Sequence, residues 1–163
     1  MFPDDIERLA RTVVEAAAAR GLTVAAAESC TGGLVSGALT AIAGSSAVVE
    51  RGFVTYSNAA KVDLLDVPMA LIERHGAVSE PVARAMAEGS RAHSAAQVSV
   101  AVTGIAGPGG GSPDKPVGLV HFAAAGPAGL IHVEHRFGDI GREGVRLDSV
   151  RVALTLLLDR IGA

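Results

Sequence analysis

Strand-like and helix-like segments alternate along this chain. Residues 3–20 open with Pro3, suited to a first helical turn, carry Ile6, Leu9, Val13, Val14 and Ala17 on one stripe, and stop at Gly21. A strand rich in small and β-branched residues is expected over 22–28, then a turn at Ser29 and a helix reaching Ile42. Val48–Tyr56 reads as a second strand with Gly52 as a bulge, followed by a short helix over Ala59–Leu65. Met69–His75 reads as a helix ended by Gly76, and Ser79 with Pro81 starts a longer one running to His93. Gln97–Thr103 suits a buried strand. Gly118–Ala125 and Leu130–Phe137 flank Gly126-Pro127-Ala128-Gly129, a hairpin signal. The last helix is expected over Arg142–Ile161. This order, with one late hairpin, predicts a three-layer α/β/α sandwich on a mixed β-sheet, in a single domain over 1–163.

Composition agrees with that class. Apolar residues make up 49% of the chain and aromatics 3%, so the core is built from small aliphatic side chains. A net charge of −3 offers no basic stripe for nucleic acid. The apolar runs are too short and too broken for a membrane span. Residues 1–20 carry Asp4, Asp5, Glu7, Arg8 and Arg11 and read as an amphipathic helix rather than a signal peptide. The single cysteine, Cys30, excludes an internal disulfide and fits a reducing cytoplasm. The apolar final helix hints at a homo-oligomer, or else belongs to the core.

Two stretches carry candidate chemistry. Glu28-Ser29-Cys30-Thr31-Gly32-Gly33 lies between the first strand and the second helix. There Ser29 or Thr31 can cap the helix, and Gly32 and Gly33 admit close approach by a ligand. First-turn N–H groups would favour a phosphate, or an oxyanion beside a serine nucleophile. Read alone, the turn is equally a helix cap. The second stretch, Thr103 to Pro116, is glycine-rich, carries three prolines and follows a buried strand. Ligands gather at such strand ends, and loops of this length are commonly functional. It is neither a Walker A loop nor a dinucleotide fingerprint: Lys115 lacks the Gly-Lys-Ser/Thr context, and a strand follows instead of a helix.

Tyr56, the only tyrosine, ends the second strand, and Lys61 follows on the short helix. A serine nucleophile needs a base, and a lysine can act as one when its pKa is lowered. Singly, Lys61 reads as a solvated helix charge and Tyr56 as a core aromatic with its hydroxyl at the rim.

Taken together, Glu28-Ser29-Cys30-Thr31-Gly32-Gly33, Tyr56-Ser57-Asn58 leading to Lys61, Gly76-Ala77-Val78-Ser79, Thr103-Gly104-Ile105-Ala106-Gly107-Pro108 and Lys115-Pro116-Val117-Gly118 resemble the CinA C-terminal domain family, the nicotinamide-nucleotide amidohydrolases. Their order and spacing cover nearly the whole chain. The resemblance implies hydrolysis of the carboxamide of nicotinamide mononucleotide to nicotinate mononucleotide and ammonia. It implies a Ser29–Lys61 catalytic pair with Tyr56 assisting, no metal and no cofactor. It also implies the stand-alone form of the family, without the additional N-terminal domain. Substrate contacts are expected from Cys30, Thr31, Gly32 and Gly33 at the turn and from Thr103, Gly104 and Gly107 at the second loop. Arg142 is expected at the phosphate, with Arg146 as its alternative. Cys30, beside the serine, is read as packing. The rival reading is a nucleotide-binding or competence-related regulatory module without turnover.

The remaining titratable groups point elsewhere. His132 and His135 should lie on opposite faces of a strand and cannot jointly hold a metal. His75 and His93 read as surface residues near helix ends. Glu28 either organises the site or simply ends a strand, and Asp63 reads as a solvated charge.

Overall fold

The computed structural model describes residues 1–162. Its elements are α1 (Asp4–Arg20), β1 (Val24–Glu28), α2 (Leu34–Thr40), β2 (Val49–Val54), α3 (Asn58–Leu65), α4 (Met69–His75), α5 (Glu80–Ala92), β3 (Val98–Gly104), β4 (Leu119–Gly126), β5 (Gly129–Arg136) and α6 (Arg142–Ile161). The strands form one sheet in the order β2-β1-β3-β4-β5. β1 pairs in parallel with β2 and β3, whereas β3–β4 and β4–β5 are antiparallel. The chain goes from β1 to β2 on one side and returns past β1 to β3. The carboxyl ends of β1 and β3 therefore bound a topological switch point, where α/β sheets leave a crevice.

Alternation along the strands separates two cores. Val24, Ala26, Val98, Val100, Val102, Val120, Phe122 and Ala124 face α1, α2 and α6, where Ile6, Val13, Leu39, Leu154 and Leu157 are buried. Ala27, Ala101, Ala123 and Ala125 face Leu65, Ile72, Val82 and Met86 of α3, α4 and α5. The second face is floored by alanine, so α5 lies close to the sheet, and Ser99 Oγ donates to Ala87 O at 2.8 Å. The expected three-layer sandwich on a mixed sheet is what these residues build.

Several local expectations are corrected. Neither Ser29 nor Thr31 caps α2, whose N-cap is Gly33 in the left-handed region, φ 105°. The buried Glu28 carboxylate takes that place. It accepts from Val35 N at 2.8 Å, from Ser36 N at 3.0 Å and from Ser36 Oγ at 2.8 Å. A carboxylate reaching from the preceding strand satisfies the orphan donors of the first turn. Gly52 is not a bulge, because it pairs regularly with Ala26. The register instead slips at Val24/Ala25, whose partners Val49 and Arg51 skip Glu50. Gly52 is needed because a Cβ there would lie 2.3 Å from Ser36 Oγ. β2 ends at Val54, which leaves Tyr56 beyond the strand. Ser79 makes no side-chain cap but donates to Gly76 O at 2.8 Å. Among the described residues no helix is long and apolar enough to cross a membrane.

Candidate active site

A cleft of about 270 Å³ opens at the switch point, lined by Ser29 and Cys30 after β1, Tyr56, Asn58 and Lys61 after β2, Ala77 and Val78 before α5, Thr103 and Gly104 at the end of β3 with Ile105 to Gly107 beyond it, and Arg142. Ladder bonds continue past the strand ends and fix its floor. Ser29 N donates to Val102 O at 3.0 Å, and Thr55 N donates to Glu28 O at 2.8 Å. The first bond sets Ser29 between β1 and β3, and the second sets the Thr55-Tyr56 corner beside it.

Ser57 Oγ accepts from Ala60 N at 3.0 Å and caps α3. That start turns Lys61 inward, so the sequence-level reading of a solvated helix charge does not hold: Lys61 is fully buried. Its Nζ lies 3.1 Å from Ser29 Oγ and donates to Thr55 O at 2.8 Å, with Tyr56 O at 3.5 Å. Burial pushes the Lys61 amine below the ordinary lysine value. A neutral amine has two N–H groups and one lone pair. In that form two carbonyl oxygens can take the N–H groups, which would leave the lone pair for the serine hydroxyl.

Cys30 is buried beside them, and desolvation pushes its thiol up to about 12. It stays protonated near neutral pH and is a poor nucleophile. Ser29 Oγ, at the cleft wall and next to an amine, is the better one.

Tyr56 is 61% exposed. Its hydroxyl accepts from Arg142 Nη2 at 3.1 Å, and Arg142 Nη1 donates to Gly107 O at 2.7 Å. Arg142 thereby bridges the β2 corner and the glycine-rich loop across the cleft mouth. That loop is tied down at several points. Ile105 N donates to Leu119 O at 2.9 Å, Gly118 N donates to Ile105 O at 2.8 Å, and Lys115 Nζ donates to His75 O at 2.5 Å. Thr103 Oγ1 donates to Ala77 O at 2.9 Å, joining two walls of the cleft.

The structure thus brings Ser29, Cys30, Tyr56, Lys61, Thr103, Gly104, Gly107 and Arg142 to one cleft. Thr31, Gly32 and Gly33 do not line it, although Thr31 directly follows Cys30, which does. Gly32 N donates to Ser29 O at 3.0 Å, and the Thr31 hydroxyl is buried with no partner among the described residues. Arg146 also stands outside, donating through Nε to Cys30 O at 3.0 Å and through Nη2 to Thr31 O at 3.2 Å. Of the two arginines, only Arg142 reaches the cleft. Sequence reasoning missed Asn58, Ala77 and Val78 as wall residues. Asn58 and Ala77-Val78 belong to the quoted segments but carry no chemistry that would single them out. Away from the cleft, the His121 ring stacks on His132 with centroids 5.1 Å apart, whereas His135 stacks on Phe137, two residues on, on the other face of the sheet. Among the described residues no group of three or more His, Cys, Asp or Glu is placed to hold a metal ion.

Comparison with known proteins gives a consistent assignment. The family model described as CinA C-terminal domain matches residues 6–161. A CinA-like protein of Synechococcus sp. (strain RCC307) is 56% identical over 157 residues, which is 96% of this chain and 38% of that protein. Another, from Anaeromyxobacter dehalogenans (strain 2CP-C), is 52% identical over 158 residues, again 38% of its length. The chain therefore spans little more than a third of these curated relatives. Among solved structures, the competence/damage inducible protein CihA from Agrobacterium tumefaciens is 55% identical with a TM-score of 0.97, covering 100% of this chain and 99% of that one. A competence-damaged protein (CinA) superfamily protein from Escherichia coli is 38% identical with a TM-score of 0.90, over 97% and 92% of the two chains.

Proposed function

The chain belongs to the CinA C-terminal domain family, and from that membership and its cleft we propose that it hydrolyses the carboxamide of nicotinamide mononucleotide to nicotinate mononucleotide and ammonia. One observation carries the reading. A fully buried amine with a lowered pKa stands 3.1 Å from a serine hydroxyl at the wall of a cleft. A binding module has no need of that arrangement. Burying an unpaired lysine is costly, and such groups concentrate where proton transfer is required.

The geometry supports the following steps. The Lys61 lone pair takes the Ser29 proton as Oγ attacks the amide carbon. The resulting oxyanion is met by backbone N–H groups of the turn. Lys61, now an ammonium, returns its proton to the amide nitrogen as the C–N bond breaks, and ammonia leaves. The neutral amine next takes a proton from water, which opens the Ser29 ester and releases the carboxylic acid. Lys61 gives that proton to Ser29 Oγ as the ester C–O bond breaks, so every proton it removes is given back and no oxidation state changes. Arg142, exposed at the mouth with a planar fork of donors, suits the 5′-phosphate. Binding there would exchange its bonds to Gly107 O and the Tyr56 hydroxyl for phosphate oxygens. Tyr56 assists by holding Arg142 in place before substrate binds rather than by touching Ser29. We also propose the chain works as a homo-oligomer, which sedimentation of the purified chain tests.

The experiment is paired calorimetry and ammonia release with nicotinamide mononucleotide, on the parent and Lys61→Ala. Turnover in the parent that is lost in the variant while binding survives supports the amidase. Tight binding with no turnover in the parent supports a regulatory module instead.

A further inference from the structure

We propose that Arg146 is a positioning residue for the oxyanion site, holding the turn after Ser29 so that the N–H groups of Cys30 and Thr31 face the reacting carbonyl oxygen. The proposal rests on the amidase reading above.

Besides Arg146, the turn is held by Gly32 N on Ser29 O and by Leu34 N on Thr31 O, both at 3.0 Å. Gly32 and Gly33 both have positive φ, and α2 starts only at Leu34, anchored on Glu28. The Thr31 hydroxyl makes no hydrogen bond among the described residues. Four N–H groups follow one another from Ser29 to Gly32. Ser29 N is engaged by Val102 O and Gly32 N by Ser29 O. No oxygen among the described residues accepts from those of Cys30 and Thr31, which makes them the donors left for an oxyanion.

Their direction is set by the carbonyls of the same peptide units. These units are trans, the only cis bond among the described residues being Gly107–Pro108, and in a trans peptide C=O and N–H point opposite ways. The Ser29–Cys30 unit is oriented by the bond from Gly32 N to Ser29 O. The Cys30–Thr31 unit is oriented by Arg146 Nε at Cys30 O, 3.0 Å, with Nη2 on Thr31 O at 3.2 Å. The guanidinium lies behind two successive carbonyls and leaves the Thr31 N–H on the far side. Its charge also polarises that peptide, strengthening the donor. A two-point hold needs the planar fork of arginine, and a lysine ammonium reproduces only one of the two contacts.

The test is steady-state ammonia release from nicotinamide mononucleotide by the parent, Arg146→Lys, Arg146→Gln, Arg146→Ala and Arg142→Gln. We expect Arg146→Gln to lower kcat about 10- to 100-fold, short of the ~10²–10³ seen when an oxyanion donor is removed outright, with KM within about threefold. Arg146→Lys should fall between it and the parent. Guanidinium added to Arg146→Ala should restore part of kcat, a readout that general loosening of the fold would not give. Arg142→Gln should instead raise KM. Arg146 variants with parental kcat, or with raised KM at unchanged kcat, overturn the positioning role while leaving the amidase intact. So does an impaired Arg146→Ala that guanidinium does not restore. A parent that releases no ammonia overturns the amidase reading and this proposal with it.

Discussion

Glu28 and Lys61 are both fully buried and flank Ser29, yet they do not pair with each other. The Glu28 carboxylate is turned into the first turn of α2, where three donors take it. The Lys61 amine is turned to the other side, among carbonyls and the serine hydroxyl. The separation matters chemically. A carboxylate in contact would hold the lysine protonated, whereas burial without one lowers its pKa and frees the lone pair.

The first prediction concerns Lys61. Its folded pKa lies below the ordinary 10.5, so between those two values the unfolded chain binds more protons than the folded one. Stability therefore rises with pH across that window, and below it the protein bears the cost of a buried charge. Lys61→Met should abolish this slope, measured by denaturant unfolding at several pH values from neutral upward. In the same variant ammonia release should fall about 10²–10⁴-fold. In the parent the rate should climb as pH rises through the lowered pKa.

Glu28 should prove structural. Glu28→Ala leaves the buried Val35 N–H and the part-buried Ser36 N–H without their acceptor, at about 1–3 kcal/mol for each group left unsatisfied. Urea unfolding should report a loss of at least about 2 kcal/mol. A variant as stable as the parent would show that α2 is held by other means.

Gly52 and Ser36 should be coupled. A Cβ at Gly52 would stand 2.3 Å from Ser36 Oγ, so Gly52→Ala should cost about 1–3 kcal/mol through overpacking. In a Ser36→Ala background that oxygen is gone and the cost should shrink. A double-mutant cycle with no interaction energy would contradict the contact.

Cys30 should be chemically silent. Its thiol is buried and pushed up to about 12, so alkylation by iodoacetamide at pH 8 should be slow in the native chain. Cys30→Ala should keep kcat within about threefold, since only its backbone is used. Loss of activity on replacing this side chain would move the nucleophile from Ser29 to Cys30.

The layer architecture was legible because period-two and period-3.6 apolar patterns are local. α6 begins at Arg142 and ends at Ile161 as the apolar repeat indicates, and Gly126 and Gly129 bracket the β4–β5 turn. Ser29, Tyr56 and Lys61 stood out through their segments. What escaped the sequence depends on partners brought together by folding. Glu28 caps a helix seven residues later, where the usual signal is a Ser, Thr, Asp or Asn at its first position. Gly52 mimics a bulge because nothing local reveals Ser36 above it. Arg146 meets the turn across 116 residues of chain, and its neighbour Arg142, one helical turn away, faces the cleft. His121 acquires its partner His132 only through the β4–β5 hairpin.

The central claim is that the alcohol at Ser29, activated by Lys61, cleaves the pyridine carboxamide. It is tested most directly by measuring ammonia released from nicotinamide mononucleotide, in the presence of a chelator, by the intact chain and by Ser29→Ala in parallel. We expect one ammonia per nicotinate mononucleotide from the intact chain and a rate at least about 10³-fold lower from the variant. Equal release by both, or none from the intact chain, would contradict it.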